Sequence, residues 1–170
     1  MRNKLLCVAV IAALVTTGCK LSSYSWRSTV PESMRVISVP TFENESGFPE
    51  LGAITTRSIL REVQREGTFR IGSLDDCKVK LIGRIMKPEM YGLSYNRNYS
   101  SRTSEYRYRL TAEITLVEKE SGKILINGKK VSVSTTFLTR DDMLTGMRDA
   151  YPRVATDLAR KIMDEVHNCW

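Results

Sequence analysis

Histidine is almost missing from this chain: His167, near the C-terminus, is the only one. A Ser-His-Asp set therefore has a single available base, and no nucleophile elbow accompanies it. There is no Walker loop and no G-x-G-x-x-G turn, so the familiar phosphate and dinucleotide cradles are absent. Carboxylates are scattered, with no pair marked by its surroundings. Cys77, Cys169 and His167 lack the spacing of a metal site. The sequence advertises no enzyme, no metal and no cofactor. Long apolar runs are lacking too. The longest, Leu5 to Val15, has eleven residues, too few to span a bilayer as a helix and suited to a signal-peptide core.

That run follows a short basic start, Met1-Arg2-Asn3-Lys4, and precedes Gly18-Cys19. A small residue before a cysteine at this place resembles a bacterial lipobox, with Thr16 where leucine is usual. The expected division is a lipoprotein signal peptide over 1–18, a lipid-anchored tether over 19–30, and one domain over 31–170. Cys19 is the expected lipidation site. The chain is basic, with 26 Lys+Arg against 19 Asp+Glu and a formal charge of +7. An exported basic protein meets anionic lipid, lipopolysaccharide or an acidic partner rather than nucleic acid. Once the signal is removed and Cys19 carries lipid, Cys77 and Cys169 remain. An oxidising compartment permits a disulfide between them, which is expected here.

The central element is Glu105 to Glu118, EYRYRLTAEITLVE. Tyr106, Tyr108, Leu110, Ala112, Ile114 and Leu116 share one face; Arg107, Arg109, Thr111, Glu113 and Thr115 share the other. Period-two alternation over fourteen residues marks a long strand with one buried face. Before it, Arg35 to Phe42 reads as a strand disturbed by Pro40. A helix opens at Pro49, buries Ala53, Thr56, Leu60 and Val63 with Ile59 flanking, and closes at Gly67. Arg57, Arg61 and Arg65 form a solvated stripe on it. Phe69 to Gly72 is a short strand and Cys77 to Met86 a longer one. Met90 to Ser104 reads as a loop or loose hairpin extension. Glu120 to Lys123 turns into a last strand, Ile124 to Phe137, with a bulge or second turn at Asn127-Gly128. A final helix is capped within Thr139 to Asp142. It carries Leu144, Met147, Tyr151, Val154, Leu158, Ile162 and Val166 on one side and is interrupted or restarted at Pro152. The fold class is α/β, an α+β two-layer sandwich. A mixed, mostly antiparallel sheet of four to five strands has two helices on one face.

The uncovered face then holds the chemistry. Lys78, Lys80 and Arg84 join Arg107 and Arg109 there by parity, with Lys130 a weaker member because Gly128 shifts its register. These six are the candidate ligand-binding residues for anionic groups, since arginine and lysine suit phosphate. Five of the seven tyrosines fall between Tyr91 and Tyr108. Tyr91, Tyr95, Arg97, Tyr99 and Arg102 of that stretch are the candidate contacts to a protein partner.

The order and spacing of these motifs resemble the LptE-type lipopolysaccharide-assembly lipoproteins. The densest part is Pro31 to Ser46, PESMRVISVPTFENES, with Gly67-Thr68-Phe69-Arg70-Ile71, Val79 to Ile85, Ser104 to Ala112 and Ser121 to Leu125 in sequence after it. The resemblance implies two helices against a four-stranded sheet and a non-catalytic protein anchored in the inner leaflet of the outer membrane. It implies an LptD-type β-barrel as partner, plugged and helped to assemble, with Tyr91, Tyr95, Arg97, Tyr99 and Arg102 as candidate barrel contacts, and lipopolysaccharide as ligand, with Lys78, Lys80, Arg84, Arg107, Arg109 and Lys130 as its candidate binding residues. The alternative is an adaptor lipoprotein of another envelope or secretion complex with a similar α/β fold.

Overall fold

The computed structural model describes residues 30–95, 103–138 and 142–170. A 3-10 turn at Glu32–Met34 leads into β1 (Val36–Ser38) and β2 (Glu43–Asn44), then helix α1 (Glu50–Glu66). After α1 come β3 (Arg70–Ile71), β4 (Val79–Ile85), β5 (Glu89–Tyr95), β6 (Thr103–Glu118), β7 (Ile124–Leu138) and helix α2 (Met143–His167). All seven strands form one mixed sheet. β1 lies parallel to β3 and β4, and β2 is parallel to β4. β4 and β5 both pair antiparallel with β6 along one edge, and β7 pairs with its other edge.

Seven strands replace the expected four to five, and the reason is interruption. β1 and β2 are collinear on β4 but broken at Val39–Phe42, which contains Pro40. β4 and β5 are collinear on β6 but broken at Met86–Pro88. Proline has no N–H to give to a ladder, so each break falls at one. At β5 the segment read as a loop or loose hairpin extension begins with a strand paired antiparallel to β6, so of the two alternatives the hairpin holds there. Met90, Tyr91 and Leu93 are all exposed there, so no buried alternation marked it in the sequence.

β6 behaves as its pattern requires. Tyr108, Leu110, Ala112, Ile114 and Leu116 are buried under the helices, and Arg107 and Arg109 are exposed on the opposite face. The bulge falls at the expected place. Ile114 pairs with Lys129 and Leu116 with Ile126, leaving Asn127 and Gly128 opposite Thr115. Gly128 has φ +56°, which suits glycine.

α1 is rotated from its expected stripe. Leu51, Gly52, Thr55, Thr56, Ser58, Ile59, Glu62 and Val63 are buried, whereas Ala53 is exposed and Leu60 half-buried. Gly67 closes the helix at φ +71°, its N–H bonding Val63 O at 3.2 Å. α2 is capped by Asp142, whose Oδ2 accepts from Thr145 N at 3.0 Å. It then runs through Pro152 without a restart. Leu144 is 49% exposed, so the buried stripe begins at Met147. Phe48, Tyr108 and Tyr151 pack together at ring separations of 5.8 and 6.0 Å between the helix layer and β6.

The C-terminal ends of the two helices meet around His167 and Glu66, 3.5 Å apart. Burial pushes the Glu66 carboxyl above its ordinary range, with Glu62 adding to it, and burial holds the His167 imidazole below its own. Arg65 and Asp164 also face this cluster. For a carboxyl raised on folding, stability is fully present below the unfolded value and is lost as pH rises through the folded one. Glu66→Gln is therefore expected to raise the thermal midpoint at pH 8 and to leave it nearly unchanged at pH 4, read by circular dichroism at both.

Candidate functional site

The helix-free face of the sheet is built by parity. Because β6 alternates, Arg107, Arg109, Thr111, Glu113, Thr115 and Val117 leave it away from the helices. The register sets their neighbours: Lys80 beside Val117, Arg84 beside Glu113, Glu89 beside Arg109 and Tyr91 beside Arg107. From β7, Lys130 lies beside Glu113, Ser134 beside Arg109 and Thr136 beside Arg107. The bulge at Gly128 thus delivers Lys130 to this face, and the parity placement of Lys80, Arg84, Arg107 and Arg109 holds.

The cations do not stand alone. Arg84 bridges Glu45 and Glu113, each at 3.1 Å, and those carboxylates, Glu113 first, hold its guanidinium above its ordinary range. Arg109 reaches Glu89 at 3.3 Å and lies 6.0 Å over the Tyr91 ring, whose hydroxyl donates to Glu89 at 2.8 Å. Lys78 pairs with Glu120; the lysine is raised by it and the carboxyl lowered in return. Lys80, Arg107 and Lys130 make no ion pair among the described residues. Sequence reasoning found the cations but missed Glu45 and Glu89 as their partners. Glu113 was visible by parity; Glu89 was hidden by the loop reading.

Of the expected protein-contact set, Tyr91 is 48% exposed on β5 and Tyr95 ends that strand. Arg97, Tyr99 and Arg102 lie outside the described residues, as does Cys19.

The expected disulfide is not formed. Cys77 and Cys169 are free thiols, and each donates to a carbonyl three residues back, Leu74 O at 3.4 Å and Val166 O at 3.0 Å. Cys77 sits just before β4, where the next residue, Lys78, donates its N–H to Val36 of β1. Cys169 lies against Leu125, Ile126 and Lys129 of β7, in a depression of about 390 Å³. Cys77 enters the β4 row, and the β6 row stands between it and β7. His167 contacts Glu66 and the Phe69 ring instead, so the three residues do not converge. Among the described residues no group of three His, Cys, Asp or Glu side chains is placed to hold a metal.

The sequence matches the model of the LptE lipopolysaccharide-assembly family over residues 34–166, which takes in all seven strands and nearly all of α2. The chain belongs to the LptE family. No functionally curated protein matches it significantly. Solved structures similar to this LptE chain include lipoprotein B from Nitrosomonas europaea, 11% identical with a TM-score of 0.54, covering 79% of this chain and 83% of that one. A protein from Xanthomonas campestris is 8% identical with a TM-score of 0.53, covering 82% and 90%. Rare lipoprotein B from Shewanella oneidensis is 14% identical with a TM-score of 0.49, covering 78% and 94%. At these identities the first two speak for the fold alone. Family membership makes the protein an LptE-type lipopolysaccharide-assembly lipoprotein of the cell envelope.

Proposed function

We propose that the chain is a non-catalytic lipoprotein of the outer membrane, anchored through Cys19 after removal of residues 1–18. Residues 19–30 serve as tether and 31–170 as the working domain. It plugs an LptD-type β-barrel, helps that barrel mature, and handles lipopolysaccharide on its way to the surface. The observation that carries this reading is the family match over residues 34–166. The uncovered sheet face supports the lipopolysaccharide role: Lys80, Arg107 and Lys130 are available for anionic groups, and Lys78, Arg84 and Arg109 are held beside them by carboxylates. Tyr91, Tyr95, Arg97, Tyr99 and Arg102 are the barrel-facing set. A strain depleted of the protein tests the reading directly. Surface lipopolysaccharide and mature barrel should fall together, and a barrel of the lipopolysaccharide-export type should remain with the tagged protein through detergent extraction. Normal levels of both would overturn it.

The anchor makes a separate prediction. Several acyl chains on Cys19 hold a protein at a membrane firmly where one chain is marginal. Cys19→Ala should abolish fatty-acid labelling and leave the precursor uncleaved on gels; normal processing of that variant would rule the anchor out.

A further inference from the structure

β7 runs fifteen residues along the outer edge of the sheet and, among the described residues, pairs only with β6. A long free edge is normally blunted by charges, proline or a bulge, because its outward N–H and C=O groups invite another strand. Here Lys129, Lys130 and the Gly128 bulge protect one end. From Val131 to Leu138, VSVSTTFL, there is neither charge nor proline. The Ser132 carbonyl accepts from Lys161 Nζ of α2 at 3.0 Å, so it points away from β6. Because antiparallel residues alternate between facing the partner and facing outward, Ser134 and Thr136 also present their backbone groups to the open edge.

The edge is complementary to itself. An antiparallel copy centred on Ser134 sets Val131 against Phe137, Ser132 against Thr136 and Val133 against Thr135. Lys130 faces Leu138, so the two copies of Lys130 stay apart. The helix beside the edge agrees with this centre. α2 runs antiparallel to β7: Glu165 pairs with Lys129, Lys161 with Ser132, and Gly146 lies against Phe137 and Leu138. The middle of α2, near Ala155, therefore lies beside Ser134. Asp149, Arg153, Asp157 and Lys161 recur every four residues and form one row on a helix. Asp149 and Arg153 line the groove of about 500 Å³ next to Thr136 and Phe137, and Lys161 reaches the edge itself. Turned about the same two-fold, the row meets its copy with Asp149 opposite Lys161 and Arg153 opposite Asp157. Asp157 now contacts Arg160 of its own helix at 3.5 Å, an exposed pair that is weakly held.

We propose that, when free of a barrel, the chain forms a two-fold dimer in which β7 pairs antiparallel with β7 of a second copy about Ser134. The sheets become continuous and the charged rows of α2 lie side by side, an isologous contact. This goes beyond the barrel reading and does not depend on it. In the dimer Lys161 exchanges the Ser132 carbonyl for Asp149 of the other copy, and Thr136 N–H takes its place.

The full-length protein in mild detergent provides the test, with wild type as control for Cys77 and Cys169. Ser134→Cys should cross-link to a dimer on non-reducing gels, because facing residues of a hydrogen-bonded pair lie about 5.5 Å apart, within disulfide range. Ser132→Cys alone should not, since its copy is displaced by four residues, about 13 Å along the strand. Ser132→Cys with Thr136→Cys should cross-link again. Arg153→Asp should weaken dimerisation about tenfold in sedimentation equilibrium, and adding Asp157→Arg should restore it. Circular dichroism confirms that each variant is folded. A wild-type protein that sediments as a monomer overturns the proposal. So does Ser134→Cys cross-linking no better than Ser132→Cys, or linking in cells to a different envelope protein in place of itself.

Discussion

Gly83→Ala is expected to destabilise this protein by about 3 kcal/mol, as an overpacked core with a displaced aromatic ring. For a domain of this size that is about 10 °C in Tm. Gly83 sits in the middle of β4, and the Phe42 ring lies directly on it. A methyl group at Gly83 would stand 2.0 Å from Phe42 Cε2 and 2.3 Å from Cζ. A flexible side chain would swing aside, but Phe42 is only 2% exposed and its backbone is pinned. Its N–H donates to Thr56 Oγ1 at 2.9 Å, and that hydroxyl donates to Gly52 O at 2.8 Å. Its carbonyl lies where a methyl on Gly52 would come within 2.9 Å. The break between β1 and β2 is thus a device: Pro40 frees the chain, Phe42 dips onto β4, and α1 locks it there through two small or hydroxylated residues. Phe42→Leu combined with Gly83→Ala should cost clearly less than the two separate changes added together, because the smaller side chain vacates the space the methyl needs. Additive losses in urea unfolding would show that the ring and the glycine are not coupled.

The same device explains why α1 was misread. Hydropathy selects the most apolar stripe, and Ala53, Thr56, Leu60 and Val63 satisfy it. Thr56, Ile59 and Val63 do pack, but close approach turns the face so that Leu51, Gly52, Thr55 and Ser58 go inward in place of Ala53 and Leu60. Gly52 is buried because Phe42 packs on it, a tertiary reason that no local pattern carries. β6 and most of α2 were legible for the opposite reason. Each presents a full-length apolar face to one layer, so period and burial coincide. β5 was illegible because it is paired along one edge and exposed on both faces, and nothing in its composition alternates. The strand count failed at prolines whose effect is to break a row, not to end it. The disulfide failed because strand order is not written in spacing: Cys77 leads into β4 and Cys169 lies by β7, with the β6 row between them.

At the candidate site, parity placed the cations on the open face and missed their neutralisation. The sequence placed Arg84 and Arg109 on the open face, and the register adds Glu113 and Glu89 beside them. A carboxylate within ion-pair reach makes each arginine a worse counter-ion for anything else. The face is therefore less a basic field than a set of satisfied pairs with Lys80, Arg107 and Lys130 left over. Those three are spread along β6 opposite or beside residues 117, 107 and 113. Ten residues of strand is about 33 Å, so they cannot converge on one phosphate. They suit a large amphiphile with separated anionic groups.

Changing Lys80, Arg107 and Lys130 together to glutamate is accordingly expected to weaken lipopolysaccharide binding by tenfold or more at low salt, on the order of 1.4 kcal/mol. The loss should shrink as salt rises, because contacts between exposed charges are screened beyond about 10 Å at 0.1 M. None of the three takes part in a described ion pair, so the fold should be retained, with an unchanged circular dichroism spectrum. Arg84→Gln makes the useful contrast. It frees Glu45 and Glu113 as well as removing a cation, so its effect on binding should resemble that of adding negative charge to the face. Four of the six units of net-charge change are reproduced by Arg57→Glu with Arg61→Glu, exposed residues of α1 on the far side of the domain. That control should bind nearly as wild type. If the triple variant binds like wild type at low salt, the face is a solvated surface and lipopolysaccharide is met elsewhere. If the α1 control loses as much as the triple variant, attraction is a property of the whole basic chain, and no face is specific.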